Sequence, residues 1–209
     1  MPPPTSHAAP ISSRHSQQQP PHVTSSNGIS GDDVRAGGKA GTFTVERGKA
    51  NELLVVRALV TRDDAASLIG RNGANIRWIN SKARVRTVFS ANVEGVSDRI
   101  LTVTGQLSAV AKAFGLIADH MIGNLEVEQG ETSEEASYGT LQLLIPDSMA
   151  GAIIGKGGVQ IKELQRNSKA RIMVGKEVLR GSTEKILSVQ GNPESLENAV
   201  LSLGRVIIE

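Results

Sequence analysis

The chain has 209 residues, of which 39% are hydrophobic and 2% aromatic, with no cysteine and a formal net charge of +2. That length holds one or two small domains with buried cores, and the missing cysteines exclude a disulfide framework, a thiolate metal site and a cysteine nucleophile. With no uncharged apolar run of about 18 residues and no basic-then-apolar leader at its start, the sequence reads as soluble and intracellular, without a membrane partner.

Charge is unevenly placed. Residues 51–122 carry nine cations against six carboxylates and residues 139–209 nine against seven, while residues 123–138 carry five glutamates and no cation. Two weakly basic segments flanking an acidic one permit a polyanionic partner without requiring it.

Residues 1–50 are rich in Pro, Ser, Gln and Gly, and their apolar residues are too scattered for a core, so this stretch is expected to be a disordered tail. His7, His15 and His22 fall in it and are read as solvated, not as metal ligands. Residues 51–60 (NELLVVRALV) form a β-branched apolar run of strand length. Asp63 and Asp64 start a helix, a glycine turn spans Gly70–Gly73, and a second helix carries Ile76 and Ile79 inward. From Ala83 to Phe89 the apolar residues alternate, which is strand spacing. A polar loop, a strand over Arg99–Thr104 and a helix with a Leu107, Val110, Ala111, Phe114, Ile117 and Met121 stripe follow. Residues 123–138 read as a solvated acidic linker, and residues 139–209 repeat the same order, ending in a helix with Leu196, Val200, Leu203 and Val206 inward.

The repeat is explicit in the residues. Leu68-Ile69-Gly70-Arg71-Asn72-Gly73-Ala74-Asn75-Ile76 recurs 85 positions later as Ile153-Ile154-Gly155-Lys156-Gly157-Gly158-Val159-Gln160-Ile161. Downstream, Ser81-Lys82-Ala83-Arg84-Val85 matches Ser168-Lys169-Ala170-Arg171-Ile172, and Asp98–Gly105 matches Glu184–Gly191. One domain has been duplicated. In each copy an apolar pair enters a glycine turn and leaves it as a helix. Glycine admits positive φ and close approach of another backbone, and the cation and helix amides supply anion donors, so the turn suits a phosphate.

A nucleotide loop of an enzyme is excluded by detail. Gly151–Gly157 (GAIIGKG) is one residue short of a Walker loop and has Gly where magnesium needs Ser or Thr, and the third Rossmann glycine is missing. Asp119 and His120 are adjacent on a helix, point apart and lack a nucleophile, so His120 reads as a surface histidine. No catalytic residue, metal site or cofactor is assigned. Trp78 lies off the core stripe and is expected to be partly buried against a neighbouring element, in preference to stacking a base.

With both turns and the order strand, helix, helix, strand, strand, helix in hand, residues 51–209 resemble the eukaryotic type I KH domain. The tandem arrangement is similar to the poly(C)-binding, hnRNP K and Nova group, and Arg57–Val60 with Ser97–Gly105 look most like the fungal poly(C)-binding-type members. The resemblance implies an α+β fold in which two modules, residues 51–122 and 139–209, each set three helices against one face of a three-stranded antiparallel sheet. It implies single-stranded RNA as ligand, with Gly70, Arg71, Asn72 and Gly73, and Gly155, Lys156, Gly157 and Gly158, clamping the backbone. Ile69, Ile76, Ile154 and Ile161 would line the groove floor, and strands over Ala83–Val88 and Ala170–Val174, with Arg84, Arg86 and Arg171, would face the bases. In cytosine-preferring relatives, arginines on the second helix and third strand bond the base. Here Arg99 and Lys185 match the strand position, whereas the helix position falls on Gln165 and, in a first module two residues shorter, near Asn80. The resemblance thus implies a pyrimidine-leaning, non-enzymatic regulator of mRNA in cytoplasm or nucleus, with other mRNA-regulatory proteins as partners and KH–KH pairing within the chain or in a dimer. Single-stranded DNA binding in transcription or at telomeres, and a protein-interaction scaffold, are the alternative readings.

Overall fold

The structure, a computed structural model, describes residues 43–48, 51–129 and 138–208. The first module runs β1 (Phe43–Gly48), β2 (Asn51–Thr61), α1 (Arg62–Ile69), α2 (Ala74–Ala83), β3 (Arg86–Phe89), β4 (Asp98–Gly105) and α3 (Leu107–Gln129). The second runs β5 (Gly139–Pro146), α4 (Asp147–Ile154), α5 (Val159–Ser168), β6 (Arg171–Val178), β7 (Glu184–Gly191) and α6 (Pro193–Ile208). In each, a single 3₁₀ turn joins the first two helices, at Arg71–Gly73 and Lys156–Gly158.

Alternation along the strands sets the layers. Leu54, Val56, Ala58 and Val60 of β2 are buried, and so are Leu101 and Val103 of β4, so one face of the antiparallel sheet turns to the helices. The predicted stripe of α3 meets it with Val110, Ala111, Phe114 and Ile117 buried and with Leu107 and Met121 half-buried against the core. In α6, Leu196, Val200 and Leu203 do the same. This is the α+β architecture expected from the sequence.

The two modules share one sheet, in the order β3-β4-β2-β5-β7-β6, with β1 on β2. β2 of the first module and β5 of the second meet antiparallel at Ala58↔Leu143 and Leu59↔Gln142. Arg57 Nη1 of β2 donates to Glu184 Oε1 of β7 across the seam at 2.8 Å, with the carboxylate largely buried. Below the sheet, α3 packs on α6. The approach is close because Gly204 of α6 has no side chain: a Cβ there would fall 2.2 Å from Leu107 Cδ1. One continuous apolar cluster results, from Leu54 through Phe114 to Leu203. Pairing of the modules through β2, β5 and the last helices is therefore built into the chain.

Three boundaries differ from the sequence reading. β1 falls inside the stretch read as tail, where it pairs with β2 from Phe43↔Val56 to Gly48↔Asn51; a six-residue strand needs only a neighbour's edge, not its own core. Helix α3 continues through residues 123–129, read as linker. A helix already nucleated and packed extends cheaply, and Gly123 costs only about 1 kcal/mol against Ala. The strand expected over Ala83–Val88 starts later, because Ala83 ends α2 and Arg84 caps it in the left-handed region. The rest of the tail, residues 1–42, and residues 130–137 of the linker lie outside the described residues. Among the described residues no helix is long and apolar enough to cross a membrane.

Candidate nucleic-acid interface

The two turns have the same backbone. Gly70 and Gly155 have φ/ψ of 69°/177° and 70°/172°, and Gly73 and Gly158 have 73°/24° and 76°/17°. Between them Asn72 (52°/25°) does what Gly157 (62°/18°) does, as asparagine tolerates the left-handed region better than most residues. The leading glycine is demanded twice over: besides its φ, a Cβ on Gly155 would stand 2.5 Å from Gln160 Cβ and 3.0 Å from Gln160 N. Arg71 and Lys156 are exposed at the turn apex. No side chain caps the helix that follows in either module. The positive ends of α2 and α5 thus face outward beside a cation, an arrangement suited to a phosphate.

The walls form as the chain leaves the turn. Ile69 and Ile76 of the first module and Ile161 of the second are half-buried, and Ile154 is 37% exposed. Ile76 and Ile161 also pack on the core, so one side chain both anchors its helix and shows apolar surface beside the turn. Opposite them, β3 and β6 are the outermost strands of the sheet, each paired on one side only among the described residues.

Asn80 and Gln165 tie helix to strand. Asn80 Oδ1 accepts from Thr87 Oγ1 at 2.9 Å, and Gln165 Oε1 accepts from Ile172 N at 3.2 Å. Their oxygens face the protein, leaving the amide NH2 as the group each can offer a base.

These bonds correct the expected register. α2 and α5 both have ten residues, and Thr87 and Ile172 occupy equivalent positions, opposite Val103 and Val189. The 85-residue offset therefore persists into the strand and the first module is not two residues shorter there. Arg86, not Arg84, is the counterpart of Arg171, while Arg84 matches Lys169; both of the latter are left-handed caps with φ 60°. The shared Ser-Lys-Ala-Arg string is thus out of structural register.

The predicted residues divide into groups. The glycine turns lead into α2 and α5, which carry Ile76 with Asn80 and Ile161 with Gln165, while Ile69 and Ile154 end α1 and α4 just before the turns. Arg99 lies at the groove's upper end, where its Nε and Nη2 donate to Ser90 O at 3.0 and 2.6 Å and its guanidinium sits 5.4 Å from the centre of the Phe89 ring. Its counterpart Lys185 is held instead by Asp147 at 2.8 Å. Arg86 and Arg171 are exposed and alternate with the inward Thr87 and Ile172, so they lie on the sheet face away from the helices. Arg84 stands at the end of α2 remote from the turn.

Three other readings change. Trp78 is 56% exposed, not partly buried, because the helix turns it away from Ile79 and Ala83. His120 is no free surface residue: its Nε2 lies 3.0 Å from Ser67 Oγ and 3.1 Å from Ser67 O, fastening α3 to α1. Sequence reasoning also missed Arg77, whose Nη1 donates to Asn72 O and braces the first turn from within its own helix. A basic residue four positions after the turn's last glycine was the available signal.

A pair of identical glycine turns feeding uncapped helices, each beside an outer strand of an antiparallel sheet, defines a class of nucleic-acid-binding module, and the family model for the KH domain matches residues 55–119 and 140–204. The chain belongs to the KH domain family. It is 32% identical over 160 residues to the RNA-binding protein rnc1 of Schizosaccharomyces pombe, covering 77% of this chain and 40% of that one. It is 31% identical over 153 residues to PAB1-binding protein 2 of Saccharomyces cerevisiae, covering 73% and 36%. The chain thus spans well under half the length of these curated relatives. Among solved structures it is similar to the a/eIF2alpha-aDim2p-rRNA complex from Pyrococcus horikoshii OT3, with 18% identity and a TM-score of 0.26 over 72% of this chain and 86% of that one.

Proposed function

We propose that this chain binds single-stranded RNA through two KH grooves and acts without catalysis in the post-transcriptional regulation of mRNA. The observation that carries this reading is the pair of turns: the same backbone angles, an exposed cation in each and an uncapped helix behind each. Both grooves keep the elements a phosphate needs, which a module serving only as a protein scaffold has no reason to retain. The RNA-binding relative supports the ligand class, and the relative named PAB1-binding protein 2 supports a protein partner as well.

A lean towards pyrimidines rests on Asn80 and Gln165, whose free ends are amide donors matching the acceptors of cytosine and uracil. Because the modules share one sheet, engagement of the second groove is intramolecular, with an effective concentration set by the seam in addition to the linker.

The test is fluorescence anisotropy with labelled C-, U-, A- and G-rich RNAs of roughly twelve nucleotides, with matched DNA as competitor, long enough for two sites of about four. Wild type is expected to bind pyrimidine-rich RNA best. A variant with Arg71→Asp, Asn72→Asp, Lys156→Asp and Gly157→Asp is expected to lose at least about a hundredfold in affinity while keeping its circular dichroism, since two phosphate clamps become repulsive. Equal binding by the folded variant overturns the assignment, and preferential competition by DNA redirects it to that ligand.

A further inference from the structure

The first module carries a second cationic surface that the groove does not use. At the end of α2 away from the turn, Lys82, Arg84, Arg86 and Lys112 line one open concavity of about 1120 Å³. All four are exposed, and none makes an ion pair among the described residues. The single carboxylate in the concavity, Glu197 of α6, lies against α3 at Gly115, where a Cβ would come within 2.8 Å of its Oε2. Four exposed cations around one concavity, with a single acid set to the side, repel one another, and an arriving anion relieves that repulsion.

The outer face of the same helix adds a second feature. Trp78, 56% exposed, precedes Lys82 by one helical turn, so the two side chains share a face. An exposed indole beside clustered cations is the pairing that single-stranded nucleic acid uses, base on ring and phosphate on cation. The surface is also peculiar to one module. At the 85-residue offset Trp78 and Lys82 correspond to Glu163 and Asn167; at the 86-residue offset of Val103 and Val189, Lys112 corresponds to Asn198; only Arg84 and Arg86 keep cationic counterparts.

We propose that the end of α2 is an extension site for RNA leaving the first groove: Lys82, Arg84, Arg86 and Lys112 take its phosphates and Trp78 stacks a base. The inference rests on the RNA-binding reading of the groove. The geometry supplies a route around α2: its ten residues put Lys82 and Arg84 about 15 Å along the helix from the glycine turn and Trp78 about half as far, and Trp78 and Lys82, each two residues from Asn80, lie on the helix face opposite the groove. An RNA filling only the groove does not reach it; a longer one does.

Trp78 is the only tryptophan, so intrinsic fluorescence reports on this surface directly. The full chain is titrated with pyrimidine-rich RNAs of roughly six and roughly fourteen nucleotides, the shorter just exceeding the four or so that one groove clamps. The longer RNA is expected to quench Trp78 and the shorter to leave it unchanged. A variant combining Trp78→Ala, Lys82→Ala and Lys112→Ala, assayed by anisotropy, is expected to hold the short RNA as wild type does, which also shows that it is folded. It should bind the long one about five- to tenfold more weakly, with the slope of log affinity against log salt reduced by about 1.4, two single-strand phosphate contacts. Wild-type affinity for the long RNA, or equal losses at both lengths in a variant of unchanged circular dichroism, overturns the extension site and leaves the groove standing. Should the variant misfold, the wild-type quenching decides alone. If wild type binds neither RNA, the groove reading falls and this inference with it.

Discussion

The two modules are one design carried out with different side chains, and what they share separates from what they do not along physical lines. Shared are the positions that backbone geometry dictates: the leading and closing glycines, the left-handed cap after the second helix, the inward strand residues and the isoleucine after the turn. Divergent are the exposed and part-exposed positions around the two grooves. The apex cation is Arg71 in one and Lys156 in the other; Arg99 rests on Phe89 and the Ser90 carbonyl, whereas Lys185 is tied to Asp147; the end of α2 is basic with an exposed Trp78, while α5 has Glu163 and Asn167. Duplication preserved the frame and left the working surface free to specialise. The modules are therefore expected to differ more in what they hold than in how they fold.

The largest effect that bears on this comparison lies in the core. Phe114 of α3 and Val200 of α6 occupy equivalent, fully buried positions. Phe114→Ala removes a ring from the centre of the first module and should cost about 3–5 kcal/mol, while Val200→Ala should cost roughly 1–3 kcal/mol. Urea denaturation of the two variants checks the order. Because one apolar cluster runs through both modules, each variant should also lower the stability of the other module, visible in its amide exchange. A loss confined to the mutated module would mean that the shared sheet does not couple them.

Next in size is the leading glycine. In Gly155→Ala the new methyl meets Gln160 Cβ and N, atoms fixed to the first turn of α5, so the turn itself must shift. In Gly70→Ala it meets the side chain of Asn75 at 2.6 Å, which can swing aside at the loss of its 2.8 Å bond to Ser67 O. Both pay for positive φ. The expected costs are about 2–4 kcal/mol for Gly155→Ala and about 1.5–3 kcal/mol for Gly70→Ala. Thermal or urea unfolding of the two variants side by side is the check, and a reversed order would show that the turns are less alike than their angles.

Much of this was legible in the chain. The repeat, the element order and both turns follow from glycine spacing and apolar periodicity, because core faces and positive-φ positions accept few residue types. What stayed hidden depended on three-dimensional neighbours. Phe43–Gly48 is too short to announce itself and becomes a strand only beside β2. Residues 123–129 carry acidic side chains that signalled a linker, yet the helix behind them was already paid for by Phe114 and Ile117. The Ser-Lys-Ala-Arg string misled because side-chain identity is weaker evidence of register than the αL cap, where the chain must turn whatever residue it carries. Lys82, Arg84 and Arg86 are neighbours in the sequence, but the arrival of Lys112 from α3 beside them had no sequence signal.

The smallest effect concerns how each turn is braced. In the first module Arg77 reaches back from α2 to the Asn72 carbonyl, holding the one non-glycine left-handed residue of the turn. The second has Lys162 at the equivalent position, with no such bond, and Gly157 in place of Asn72. A glycine needs less holding in that conformation than an asparagine, so the brace sits where the strain is. Arg77→Ala should therefore loosen the first turn, raising exchange of the Gly73 amide and weakening short-RNA binding by about two- to threefold. Arg77→Lys keeps the charge but loses the planar fork, and is expected to behave like the alanine variant. Lys162→Ala should leave the order of the second turn unchanged. If lysine restores binding at position 77, the residue acts as a charge near the phosphate and not as a brace, and the difference between the two turns reduces to electrostatics.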